Sequence, residues 1–209
     1  DIIMSLTKND LPELHKTYFN SEKLIVTLFG DLTKKEAEKI AKDIKKNMPN
    51  KKIKAEKNFT EIPNGNGTFL NKYEFEQVNL DIYCPAPPLS TEDYNVMKLI
   101  NEILSGSRGR LHQAVRGTNN LAYFAFPYYN YSENFGYFKL NSQTSIDKKD
   151  ELIEVMVNEL TKLMTEDVPI NELNSAIDEN EKMLKAILNE NSLPYYITHF
   201  EAIGLGYNY

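Results

Sequence analysis

The chain has 209 residues, of which 41% are hydrophobic and 26% charged, with a net charge of −6. It is long enough to bury one large core or two small ones, and its acidic balance offers no electrostatic attraction to nucleic acid or an anionic membrane. Its one cysteine, Cys84, excludes an internal disulfide and a thiolate metal cluster.

No apolar run approaches the ~20 residues of a membrane span. The opening DIIMSLTKND is too polar for a signal peptide. The chain does not begin with Met, so we expect a processed form or a piece of a longer polypeptide, of which residues 1–209 make one module. Its compartment is left open.

In chain order, Thr7 and Asp10 form a capping-box-like pair, and Leu11, Leu14 and Tyr18 form an apolar stripe, which predicts a first helix. KLIVTLF (23–29) is a continuous apolar run rich in branched residues and predicts a buried strand. Thr33 and Glu36 make a second capping box. Ala37, Ile40, Ala41 and Ile44 carry the following helix to Met48, where Pro49 ends it. Residues 50–66 are basic and polar and predict a loop. Strands are expected near 67–75 and 77–84, the second alternating Val78, Leu80, Ile82 and Cys84. PAPP (85–88) is a connector, because proline cannot pair in a sheet interior.

Ser90 and Asp93 open a helix through Tyr94, Met97, Ile100, Ile103 and Leu104, stopped by Gly106. A short helical turn is expected around 109–116, then strands at about 120–129 and 134–144. Asp147 caps a long helix to Met164, Pro169 opens another to about Glu190, and a last helix runs from Pro194 to about Ile203. Paired strands alternate with single helices. This order predicts an α+β two-layer sandwich, with a mixed, largely antiparallel sheet and helices on one face.

The patterns that usually carry chemistry are missing. His15, His112 and His199 stand apart, with neither His-Glu-x-x-His nor His-x-x-Glu-His spacing. Glu36, Glu38, Glu151, Glu154, Glu172, Glu179 and Glu181 fall on polar helix faces and read as solvated. SGSRGR matches no phosphate-binding loop. The basic stretch 45–57 has no interleaved aromatics and reads as a connector.

The stretch SRGRLHQAVRGTNNLAYFAF (107–126) stands out. Arg110 and Arg116 are six apart, about 600° around a helix, so they point in different directions. Leu111 and Val115 share the inward face. Asn120 suits a left-handed turn. Tyr123 or Phe124 then faces the open side of the sheet. A guanidinium and a phenol presented from adjacent elements can donate to one carbonyl or carboxylate oxygen; an ion pair plus a core tyrosine explains the same spacing.

YNVMKLINEILSGSRGRLHQAVRGTNNLAY resembles a stretch of the pitrilysin/insulinase family of zinc metallopeptidases, which includes the processing peptidases. There an apolar helix leads to a Gly/Ser turn, an Arg-Leu pair, a further Arg and Leu-Ala-Tyr. LTKNDLPELHKTYFNSEKLIVTLFGDL resembles the start of a module of that family, and the likeness runs from about residue 6 to 205. Two homologous modules of such enzymes face each other around a chamber, one binding zinc through His-x-x-Glu-His. The other supplies an Arg–Tyr pair that holds and polarises the peptide. The resemblance implies that this chain is the second, non-catalytic half, with Arg116 and Tyr123 as the substrate-binding pair. It implies no catalytic residue and no cofactor in this chain, with zinc in a partner module on the same polypeptide or a second subunit. Gly117 stands where the family usually has Glu, and Asn120 where it usually has Gly. A scaffold or assembly subunit of the same fold and an unrelated α+β binding domain are the competing readings.

Overall fold

The structure, a computed structural model, describes residues 2–22, 24–50, 66–106, 108–189 and 192–208. They divide into two compact units: Asp1–Asn58 with Ile187–Tyr209, and Phe59–Ala186.

The second unit is built on a sheet of three strands, β1 (Gln77–Pro85), β2 (Ala125–Tyr131) and β3 (Gly136–Ser145), in the order β1-β3-β2. Both pairings are antiparallel, with Leu80 opposite Ser142 and Ala125 also opposite Ser142. Exposed and half-buried residues alternate along β1, and buried and half-buried ones along β3, as a sheet with one covered face requires. On the covered face, Leu80, Ile82, Phe138 and Leu140 meet Leu104, Leu111, Leu152 and Met156. These come from α4 (Asp93–Leu104), α5 (Arg110–His112) and α6 (Lys149–Thr165). Helices therefore cover one face of an antiparallel sheet, as expected. α7 (Ile170–Asn189) begins just after Pro169.

Aromatics close one end of this core. Tyr94 meets the Tyr131 ring edge-on at 4.7 Å. Tyr129 donates its hydroxyl to the Pro87 carbonyl at 2.5 Å, and burial, with Tyr131 beside it, pushes its ionisation up to about 12. Burial likewise raises the Cys84 thiol, in keeping with a packing role at the strand end.

The first unit contains α1 (Ile2–Ser5), α2 (Asp10–Tyr18), α3 (Lys34–Lys46) and α8 (Leu193–Ala202). The Thr33–Glu36 capping box forms in full: Glu36 N–H donates to Thr33 Oγ1 at 3.3 Å, and Thr33 N–H to Glu36 Oε2 at 2.9 Å. Thr7 donates to the Asp10 carboxylate from both its amide and its hydroxyl, at 2.7 and 2.8 Å, and the helix begins at Asp10 itself. The stripe of Leu11, Leu14 and Tyr18 is more than half exposed.

Two predicted strands are not found. Residues 24–29 and 66–76 form no ladder, although their composition favours strand. Strand propensity reflects how a side chain fits a half-buried pleated surface, and it does not supply the partner. The predicted loop at 50–66 lies almost wholly outside the described residues.

Candidate functional site

The segment between α4 and β2 builds the site. Gly106 leaves α4 with a left-handed φ of 74°. Gly109 then passes so close to the end of α4 that an added Cβ would sit 2.0 Å from the Ser105 carbonyl oxygen, so no larger residue fits there. α5 follows, and the backbone widens into a π-helix over Gln113–Thr118 that carries Arg116. Such single π turns recur at functional sites. Leu111 and Val115 are completely buried on the inner side and anchor the segment.

The exit from the π-helix is closed by specific bonds. Asn119 Nδ2 donates to the Ala114 carbonyl at 2.8 Å, and Leu121 N–H to the Val115 carbonyl at 2.9 Å. Asn120 takes φ +48°, the left-handed conformation expected of it. Asparagine tolerates this better than other residues with a Cβ. Beyond it, Thr144 Oγ1 donates to the Leu121 carbonyl at 2.5 Å and Ser142 Oγ to the Phe124 carbonyl at 2.7 Å. Side-chain hydroxyls of β3, rather than the backbone ladder, hold residues 121–124. The ladder therefore starts at Ala125, five residues later than the sequence suggests.

This path brings the two sequence-predicted site residues together. The Arg116 guanidinium carbon lies 4.4 Å from the centroid of the Tyr123 ring. Tyr123 is 76% exposed, which excludes the core-tyrosine alternative. A cation over an aromatic face at an exposed site contributes about 0.5–1 kcal/mol. Contact through the ring leaves the guanidinium N–H groups and the phenol O–H available to a common acceptor. Phe124 stacks on Phe126 at 5.3 Å, so an aromatic row continues from the site along β2.

Arg110 is not part of this arrangement. Its Nε and Nη2 both donate to Glu172 Oε2, at 2.7 and 2.6 Å, fastening α5 to the start of α7. Glu172 is thus an ion-pair partner, contrary to its sequence reading as a solvated carboxylate. Two grooves flank the segment. One, of about 760 Å³, contains Arg110–Glu172 and a second pair, Lys162–Glu159 at 2.6 Å, so four of its charges are already neutralised. The other, of about 400 Å³, is lined by Tyr123 together with Gln77, Gln143 and Lys148, and sequence reasoning gave no sign of it.

Among the described residues, no group of three or more His, Cys, Asp or Glu side chains is placed to hold a metal ion. His112 is half-buried on α5, and its Nδ1 has no hydrogen-bond partner there. No described helix is long and apolar enough to cross a membrane.

Residues 5–180 match the family model described as the peptidase M16 inactive domain. No curated protein matches. Among solved structures, the chain resembles a peptidase M16 inactive domain from Pseudomonas fluorescens at 18% identity and a TM-score of 0.78, covering 96% of this chain and 48% of that one. It resembles a protease from Helicobacter pylori at 17% identity and a TM-score of 0.82, covering 96% of this chain and 50% of that one. The inactive peptidase domain of a candidate zinc protease from Bordetella parapertussis is similar at 16% identity and a TM-score of 0.56, covering 68% and 77%. The chain therefore spans about half the length of the first two. By the extent of the family match, it belongs to the peptidase M16 inactive domains, the non-catalytic half-module to which its two sequence blocks pointed.

Proposed function

We propose that this chain is the substrate-gripping, non-zinc half of a zinc metalloendopeptidase, and that Arg116 and Tyr123 hold the peptide. It is a single module of a longer assembly whose zinc-bearing module lies on the same polypeptide or on a separate subunit. The observation that carries the reading is the contact of Arg116 with Tyr123 at 4.4 Å on an exposed surface. A scaffold has no use for an exposed cation–phenol pair set on a π turn and a left-handed asparagine.

Zinc in the partner module would supply the Lewis acid and the activated water. The residues of this chain bind and orient. Arg116 and Tyr123 donate to the scissile carbonyl or its neighbour, and they stabilise negative charge as it develops on that oxygen. Tyr123 also limits where the Arg116 side chain can go, so less ordering remains to be done when the peptide arrives.

The test is peptide hydrolysis by the chain assembled with a zinc-bearing module. Arg116→Ala combined with Tyr123→Phe lowers kcat/KM about 100-fold, the loss typical of removing a preorganised donor, while circular dichroism and melting stay as in wild type. Unchanged turnover would establish the scaffold reading instead.

A further inference from the structure

The groove beside Tyr123 differs from the paired-charge groove behind Arg110. Lys148 lies on the 3₁₀ turn Ile146–Lys148 between β3 and α6 and brings an ammonium group to its wall. Among the described residues, that ammonium makes one hydrogen bond, to the Asn120 carbonyl at 3.1 Å. An ammonium has three N–H donors, so two remain. The bond also fixes the ammonium at the Asn120 turn, three residues before Tyr123. Gln77 opens β1 and lies opposite Ser145 in the register, and Gln143 lies opposite Asn79, so the carboxamides stand together at one end of the sheet. Leu121, Ala122 and Phe124 supply apolar contact.

Among the described residues no carboxylate lines the groove. Asp147, the residue before Lys148, is exposed, and its carboxyl is held below its ordinary range by the Ser145 hydroxyl, its own backbone amide and the Lys148 charge. It lies outside the lining, so among the described residues no carboxylate stands inside the groove to take up the two remaining N–H donors of Lys148. The volume of about 400 Å³ falls within the roughly 300–1,000 Å³ of small-ligand sites. An ammonium with two open N–H donors, two carboxamides and a short apolar wall match a carboxylate on a short stem.

We propose that this groove is a specificity subsite for a peptide carboxylate, with Lys148 as its recognising cation and Gln77 and Gln143 as supporting donors. The proposal rests on the reading of Arg116 and Tyr123 as the peptide grip, since Tyr123 belongs to both. The carboxylate is a substrate Asp or Glu side chain or a free peptide C-terminus, and the two share one chemistry.

The experiment uses the chain assembled with a zinc-bearing module and a neutral parent peptide. One set of variants carries Gln→Glu at each position flanking the cleaved bond, and a second pair has a free or an amidated C-terminus. Wild type favours one carboxylate form about ten-fold in kcat/KM, expressed mainly in KM, as a charge-assisted contact made on binding predicts. A preference confined to one Glu position assigns the side chain, and one confined to the free C-terminus assigns the terminus. Lys148→Met reduces the ratio to about one, and Lys148→Arg, which keeps the charge, retains it. Wild type without preference for either carboxylate overturns the proposal, as does a preference that survives in a folded Lys148→Met variant. Loss of neutral-peptide turnover in Arg116→Ala reports on the grip, and the Glu-to-Gln ratio reports on the groove. If the assembly does not turn over, titration of fluorescent Glu and Gln peptides onto the full 209-residue chain decides. Lys148-dependent tighter binding of the Glu peptide supports the subsite, and equal binding overturns it.

Discussion

Arg110 and Arg116 sit six residues apart on one short segment and do opposite things. Arg110 turns inward along the helix layer, and its guanidinium bonds a carboxylate 62 residues away in the chain. Arg116 rests on the ring of an exposed tyrosine. The first satisfies its charge within the module and so holds structure. The second makes its contact through a ring face, and under the proposed function its N–H groups meet a peptide oxygen. Which role an arginine takes is decided by the helical angle and by the π turn between them, not by residue type.

Substitutions can break this contrast, beginning with the position both arginines depend on. Leu111→Ala removes a completely buried side chain beneath the segment and destabilises by about 3 kcal/mol, measured by urea unfolding; it loosens both sites together. Arg110→Ala separates them. It should destabilise by about 2 kcal/mol, since it strands Glu172 and two charge-assisted bonds, and a double-mutant cycle with Glu172→Gln should recover much of that loss as coupling. Asn120→Ala forces a left-handed backbone on alanine and costs about 1 kcal/mol, whereas Asn120→Gly folds normally. The smallest structural effect is that of Arg116→Ala, a loss of about 0.5 kcal/mol in the same assay, the low end of an exposed cation–π contact. If Arg116→Ala proved as destabilising as Arg110→Ala, the two arginines would both be structural, and the proposed grip would fail.

Much of this contrast was legible in the sequence. The inward Leu111 and Val115 and the left-handed Asn120 follow from residue type and spacing, and the structure bears both out; the 600° between the two arginines assumed an α-helix, whereas the backbone widens to a π-helix from Gln113. The alternation of Val78, Leu80, Ile82 and Cys84 located β1 because period two is a local signal. The partner of Arg110 was not legible, since nothing local marks Glu172 among the other helix-face glutamates. Nor was the π turn, for Gln113–Thr118 has no side-chain pattern that separates it from an α turn. The apolar run 23–29 has the composition of a strand, but its residues 24–29 form no ladder, because pairing depends on a neighbour the run does not contain. The groove is illegible in the sequence for a similar reason. Gln77, Gln143 and Lys148 are unremarkable one at a time and are brought together only by the register of β1 on β3.

The hydroxyls of Ser142 and Thr144 hold the lead-in to β2 from the side. A backbone ladder can be changed only by moving a strand, but a hydroxyl can be deleted alone. Thr144→Val and Ser142→Ala would therefore free the Tyr123 tip in two separate steps, leaving the paired strands in register. Amide hydrogen exchange across 121–124 would rise at each step while β3 stayed protected. The mobility of the tip is thereby adjustable, almost independently of the sheet that carries it.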